Sequence, residues 1–182
     1  MTGNRPRRLV LLRHAKSAWP DVPDHQRPLA PRGRRDAPAA GRWLQRQGCV
    51  PDLVLCSTAR RARETWELAQ AELGASPPVR YEQAIYGASA DGLLAVIRAA
   101  PAATRTVLVV GHDPALPELA LCLAEGGAGQ QAKRQQPGDL DRVRSKFPTA
   151  ALAVLAFTGP WPRLGPGGAR LTDFVTPREI RG

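Results

Sequence analysis

Arg13 and His14 stand side by side directly after four apolar residues, Leu9-Val10-Leu11-Leu12. A guanidinium next to an imidazole suits chemistry on a phosphoryl group. Arginine offers a bidentate positive fork, and histidine can be a neutral nucleophile near neutral pH. A second histidine, His112, follows the run Thr106-Val107-Leu108-Val109-Val110 and Gly111. A third segment, Leu53-Val54-Leu55-Cys56-Ser57, runs into Arg60, Arg61 and Arg63. Positive side chains at a helix start oppose the macrodipole unless an anion binds among them. Each feature alone has a plainer reading: a basic turn, a satisfied structural histidine, a solvated basic face. The plain reading suits Arg60 and Arg63. For Arg61, and for two histidines ending the two clearest buried strands, one shared site is the better account.

The elements that must hold these residues follow from periodicity. Short apolar runs at 9–12, 52–56 and 106–110 predict buried strands, and a weaker strand is expected near 79–81. Helices are expected over 33–47, 60–73, 89–100 and 114–125. In the second of these, Ala62, Trp66, Ala69 and Leu73 recur at helical spacing and read as core. Asp113 is a plausible N-cap for the last, with Pro114 at its first helical position. A strand over 150–157 and a partner over 169–175 form an expected antiparallel hairpin. The predicted architecture is a single α/β domain over residues 1–182. It has a mixed, mostly parallel β-sheet flanked by helices on both faces. Residues 126–146, which are rich in Gly, Gln and charge, are expected to be a flexible insertion within it.

Together these residues resemble the histidine phosphatase superfamily, and within it the SixA-type phosphohistidine phosphatases. Arg13-His14-Ala15, extended through Lys16-Ser17-Ala18-Trp19, is similar to the family's Arg-His-Gly/Ala signature. Ser57, Arg61, Ala62 and Thr65 meet its Ser-x-x-x-Arg-Ala-x-x-Thr block, and Gly111-His112 its late histidine motif. Asp24, Arg27-Pro28-Leu29 and Gly33 resemble the Asp-x-x-Arg-Pro-Leu-x-x-x-Gly stretch of the phosphohistidine branch. Tyr86, Ser89, Leu93-Leu94 and Lys146-Phe147-Pro148-Thr149-Ala150 also fit that branch. The blocks occur in family order over nearly the whole chain.

The resemblance implies roles. His14 would be the nucleophile that forms a phosphohistidine enzyme intermediate. Arg13 and Arg61 would clamp the phosphoryl oxygens, His112 would donate a hydrogen bond to them, and Arg27 would be a further phosphate contact or a structural partner of Asp24. Ser17 could donate a hydroxyl to phosphate, although a small turn residue is the commoner explanation. The arginines supply the positive charge, so no metal and no cofactor is expected. One departure bears on substrate. Other branches carry an acid three positions before a Tyr-Gly. Here Tyr86-Gly87 is preceded at that spacing by Gln83, and Glu82 is one residue off. Glu82 is the candidate acid, but a one-residue shift on a strand turns a side chain to the opposite face. Without a strong acid an alcohol leaves poorly, whereas a phosphorus–nitrogen bond to imidazole is more labile.

Composition bounds the remaining classes. A chain of 182 residues that is 43% hydrophobic suits one domain with a sizeable core. Cys49, Cys56 and Cys122 are an odd number without a Cys-x-x-Cys pair, as expected of reduced thiols in a cytoplasmic protein. Met1 to Arg8 has no apolar leader core, and no stretch approaches a membrane span. The formal charge of +10 invites a nucleic-acid reading, but aromatic residues are only 5% and no nucleic-acid module is present. The charge fits compositional bias, with an anionic substrate or partner as a second cause. The expected partner is a phosphorylated protein bearing phosphohistidine, or a small phosphorylated substrate. The two rival functions are a small-molecule phosphomonoesterase and a non-catalytic phosphate- or nucleic-acid-binding module.

Overall fold

The apolar runs become the strands of one six-stranded sheet in the computed structural model, which describes residues 5–125 and 137–182. Strands β1 (Arg7–Arg13), β2 (Leu53–Ser57), β3 (Val79–Glu82) and β4 (Thr106–Gly111) run parallel in the spatial order β3-β2-β4-β1. β5 (Leu152–Phe157) lies antiparallel to β1, and β6 (Arg170–Val175) antiparallel to β5 at the sheet edge. The expected mixed sheet and terminal hairpin are both present.

Alternation along the strands separates two cores. Leu9, Leu11, Leu55, Val107 and Val109 face one layer, and Val10, Leu12, Val54, Leu108 and Val110 the other. Helices α1 (Pro31–Arg46) and α2 (Arg60–Gln70) cover the second face through Trp43, Leu44 and Trp66. Helices α3 (Ala90–Arg98) and α4 (Ala115–Ala124) cover the first through Leu93, Ile97, Leu116 and Leu119. Burying side chains of this size contributes about 1.5–3 kcal/mol each, which is why runs polar at neither face form strands here. A last short helix, α6 (Pro177–Arg181), is tied back to α1 by the Arg181–Asp36 ion pair at 2.8 Å.

β1 and β4 are neighbours, yet the chain leaves β1 toward α1 on one face and leaves β4 toward α4 on the other. Such a divergence opens a crevice at the carboxyl ends of adjacent strands, where doubly wound sheets bind ligands. Gly33 lets α1 begin close to that crevice. A Cβ there would stand 2.2 Å from the Lys16 carbonyl oxygen.

Two expectations are corrected, and one stretch is described only in part. Helix α1 starts at Pro31 rather than residue 33, because proline at the first helical position loses no intrahelical bond. Helix α4 starts at Ala115, after a cis Asp113–Pro114 peptide, and Asp113 makes no side-chain cap. Within the stretch expected to be flexible, residues 137–145 form helix α5 (Pro137–Ser145), and residues 126–136 lie outside the described residues. In α5 the i,i+3 pairs Asp139–Arg142 and Asp141–Arg144 put acid ahead of base along the axis, in keeping with the macrodipole. Val143 of the same helix is buried. Leu140 packs partly buried against the same core, but two apolar residues among charges are a weak helical signal, so the sequence pattern did not reveal the helix.

Candidate active site

His14 is the first residue beyond β1. Its backbone N–H donates to Gly111 O at 3.0 Å, and its carbonyl accepts from Ala150 N at 3.2 Å, so both neighbouring strand ends hold it. The imidazole is buried, and its Nδ1–H donates to the Ala15 carbonyl at 2.8 Å. A carbonyl can only accept, so the proton sits on Nδ1 and Nε2 keeps its lone pair. Burial is the largest cause lowering the His14 pKa to about 3, with His112, Arg61 and Arg13 acting in the same direction. The side chain is therefore a neutral, correctly tautomerised base or nucleophile across the physiological range.

His112 follows β4 and packs 5.2 Å from His14, ring centre to ring centre. Its Nε2 lies 2.7 Å from Ser57 Oγ, at the end of β2. Ser57 Oγ also accepts from Ala59 N at 3.2 Å; a Ser57 hydroxyl that donates to Nε2 puts the imidazole proton on Nδ1. Burial, first, and then the Arg61 charge lower the His112 pKa to about 4. A neutral ring offering Nδ1–H results.

Arg61 lies in the first turn of α2 and is buried. Its Nη1 donates to Asp24 O at 2.8 Å and its Nη2 to Asp24 Oδ2 at 3.1 Å. Arg27 is also buried; its Nη1 meets Asp24 Oδ1 at 3.3 Å and its Nη2 donates to Ser17 Oγ. Arg13 Nη1 donates to Phe147 O at 2.7 Å. Each of these arginines is thus held by its terminal nitrogens. Each leaves its Nε–H buried without a protein partner, and His112 Nδ1 is buried without one too. Leaving such donors unmatched costs about 1–3 kcal/mol each, more for charged groups. Four of them on residues lining a single cleft of about 540 Å³ make a site matched to an acceptor-rich anion.

The structure brings Arg13, His14, Arg27, Arg61 and His112 together in this cleft. It does not bring Glu82, which ends β3 opposite Ser57 and is absent from the cleft lining. Gln83, beside it, accepts from Thr58 Oγ1 at 2.5 Å, and that hydroxyl lies 2.9 Å from His25 Nε2. Ser17 anchors Arg27. The pairing of Arg27 with Asp24 is present, and the residue also lines the cleft. Arg60 and Arg63 are outside the lining.

Sequence reasoning named several further residues as motif members without finding the contacts they make. Thr65 accepts from Ala15 N at 2.9 Å and donates to Arg61 O at 2.6 Å, joining the His14 loop to the helix that carries Arg61. Asp24 is the hub of the cleft wall, receiving Tyr86 Oη at 2.7 Å as well as the two arginines. That tyrosine bond, and then Arg61, hold the Asp24 carboxyl below its ordinary pKa and the bond raises that of Tyr86. His25 stacks edge-on to Tyr86 at 4.9 Å. Trp19 stands 77% exposed on the cleft rim with the Arg27 guanidinium 3.4 Å over its ring. Spacing alone could flag Asp24 and Tyr86 as motif members, but their mutual bond joins residues 62 positions apart. Among the described residues no group of three or more His, Cys, Asp or Glu is placed to hold a metal ion.

Comparison with known proteins follows the same residues. The model of the histidine phosphatase superfamily (branch 1) matches residues 9–86. An uncharacterised protein of Mycobacterium tuberculosis is 43% identical over 168 residues, covering 92% of this chain and all of that protein. Among solved structures, a candidate phosphohistidine phosphatase SixA from Nakamurella multipartitia superposes with a TM-score of 0.79 at 41% identity, over 95% of this chain and 97% of that one. The corresponding candidate SixA from Agrobacterium tumefaciens gives 0.75 at 30% identity, over 94% and 99%.

Proposed function

The chain belongs to the histidine phosphatase superfamily, among its SixA-type members, and is a phosphoric ester hydrolase; from that premise we propose that it is a metal-independent protein phosphohistidine phosphatase acting through a phosphohistidine intermediate on His14. The observation that carries this reading is a neutral His14 Nε2 in a cleft with four buried, unmatched donors on Arg13, Arg27, Arg61 and His112. Nε2 attacks phosphorus as the bond to the leaving nitrogen breaks. The guanidinium Nε–H groups and His112 Nδ1–H receive charge as it spreads over the phosphoryl oxygens. Water then releases phosphate and restores the imidazole. No described helix is long and apolar enough to cross a membrane, and we place the protein in the cytoplasm with phosphorylated protein as its partner.

Phosphohistidine is preferred over an alkyl monoester because neither of the two candidate acids in or near the cleft, Glu82 and Asp24, is poised to protonate a leaving oxygen. Glu82 is outside it, and Asp24 is held ionised by Tyr86 and Arg61. Rates should therefore depend steeply on leaving-group quality. A panel of phosphohistidine, aryl phosphates and sugar phosphates is expected to rank in that order. Glu82→Gln should change phosphohistidine turnover by less than about threefold, since a true general acid contributes about 10²–10⁴. Efficient hydrolysis of sugar phosphates, cut more than about a hundredfold by Glu82→Gln, would instead establish the monoesterase reading.

The acid side of the pH profile tests the nucleophile's state. The neutral imidazole is the active form, and a pKa lowered from 6.5 to about 3 keeps it neutral as pH falls. After correction for the substrate's own second ionisation near about 6, kcat/KM is expected to stay level down to about pH 5. An acid limb near 6.5 that disappears with a substrate lacking that ionisation is consistent with this assignment. One that persists is not.

A further inference from the structure

We propose that Asp24 is the general base of the second half-reaction, taking a proton from the water that attacks phosphorylated His14, while supplying no proton in the first. The inference rests on the phosphohistidine-intermediate reading above and adds to it the residue that discharges the intermediate.

The geometry of the carboxylate supports this role. A carboxylate offers about four acceptor positions. On Asp24 three are taken: Oδ2 receives Tyr86 Oη at 2.7 Å and Arg61 Nη2 at 3.1 Å, and Oδ1 receives Arg27 Nη1 at 3.3 Å. The remaining position is on Oδ1, whose one contact is at the long end of the hydrogen-bond range. The side chain is 51% exposed and lines the cleft that holds His14. The half-exposed side chain leaves the carboxylate open to water, and three bonds fix its direction. The other carboxylate in the lining, Asp113, has no comparable set of hydrogen bonds among the described residues. A base on a site of fixed orientation is the more effective one.

The steps balance as follows. In the first, His14 Nε2 bonds to phosphorus while the donor's phosphorus–nitrogen bond breaks, and its electron pair returns to the departing imidazole. An imidazole already carrying a proton on its other nitrogen leaves neutral, so Asp24 is not called on. In the second, water oxygen bonds to phosphorus, the phosphorus–Nε2 bond breaks with its electron pair returning to His14, and the water proton passes to Asp24 Oδ1. Solvent then removes that proton. The asymmetry follows from Asp24's partners: Tyr86 first, then Arg61 and Arg27, all favour the ionised form. An ionised carboxylate can accept a proton but has none to give. The enzyme is thereby confined to donors whose leaving group departs unaided.

Rapid-quench labelling with a phosphohistidine donor separates the two steps, and Asp24→Asn keeps the side chain's shape. In this variant, hydrolysis of labelled His14 should slow by at least about thirtyfold, below the usual 10²-fold lower bound for a general base, and by far more than labelling does. Phosphoenzyme should then become the dominant steady-state form. Hydroxylamine, a nucleophile that attacks without prior proton removal, should discharge the stalled phosphoenzyme at close to the wild-type rate. Equal slowing of both steps, or no discharge by hydroxylamine, would show that Asp24 only positions Arg61 and Arg27 and would overturn the proposal. So would accumulation of phosphoenzyme in Asp113→Asn but not in Asp24→Asn. A wild-type enzyme that never labels on His14 would instead remove the intermediate, and with it the underlying functional reading.

Discussion

His14→Ala is expected to eliminate turnover while the fold survives. Deleting a covalent nucleophile has an effect on the scale of ~10⁶ in kcat, and the other imidazole in the cleft lining, that of His112, has its Nε2 taken up by Ser57 Oγ. The fold should persist because what His14 gives the scaffold is mainly backbone. Its N–H to Gly111 O, its carbonyl from Ala150 N and the neighbouring Ala15 N to Thr65 Oγ1 all remain in the alanine variant. Circular dichroism and a denaturant midpoint near wild type, together with loss of acid-labile, alkali-stable label from the protein, would confirm both halves. Wild-type-like turnover would exclude His14 as nucleophile.

Arg61→Lys is expected to lower kcat/KM at least about tenfold, or roughly 1.4 kcal/mol of transition-state stabilisation. Charge is conserved in this change; the fork is not. Arg61 spans the Asp24 carbonyl and carboxylate with Nη1 and Nη2 while its Nε–H is buried without a protein partner, and an ammonium cannot present three donors in one rigid plane. The effect should appear mainly in kcat, because the spreading charge develops in the transition state. Arg60→Lys and Arg63→Lys are the comparison. Arg60 is paired with Glu64 at 2.8 Å, and both side chains lie outside the cleft, so changes within about threefold are expected. If all three substitutions behave alike, the start of α2 is a general basic face and Arg61 has no special place.

Much of this site could be read from local pattern. Arg13, His14, Arg61 and His112 each sit one to five residues beyond an apolar run, and in a parallel sheet the ends of such runs fall along one edge. Arg61 could be chosen over its neighbours only through its place in a motif. Its physical ground is that α2 turns this arginine toward Asp24 and leaves Arg60 and Arg63 outside the cleft. Glu82 shows the limit from the other side. The sequence could count its offset from Tyr86, but only the pairing of β3 with β2 puts it opposite Ser57 and outside the lining. Helix α5 escaped detection because its support is two i,i+3 ion pairs and two apolar residues, Leu140 and Val143.

The sequence by itself determined the strand cores, the two-sided sheet, and the kind of chemistry: paired histidines and arginines at strand ends. It did so because burial and side-chain alternation are local properties, visible within a few residues. Tertiary structure alone decided the protonation states and the wiring. The tautomer of His112 depends on Ser57, the charge of Asp24 on Tyr86 and Arg61, and the link between the His14 loop and α2 on Thr65. These contacts span 37 to 62 positions along the chain. Hydrogen bonds act over about 3 Å, so no sequence pattern can contain them until the sheet has brought its strand ends together.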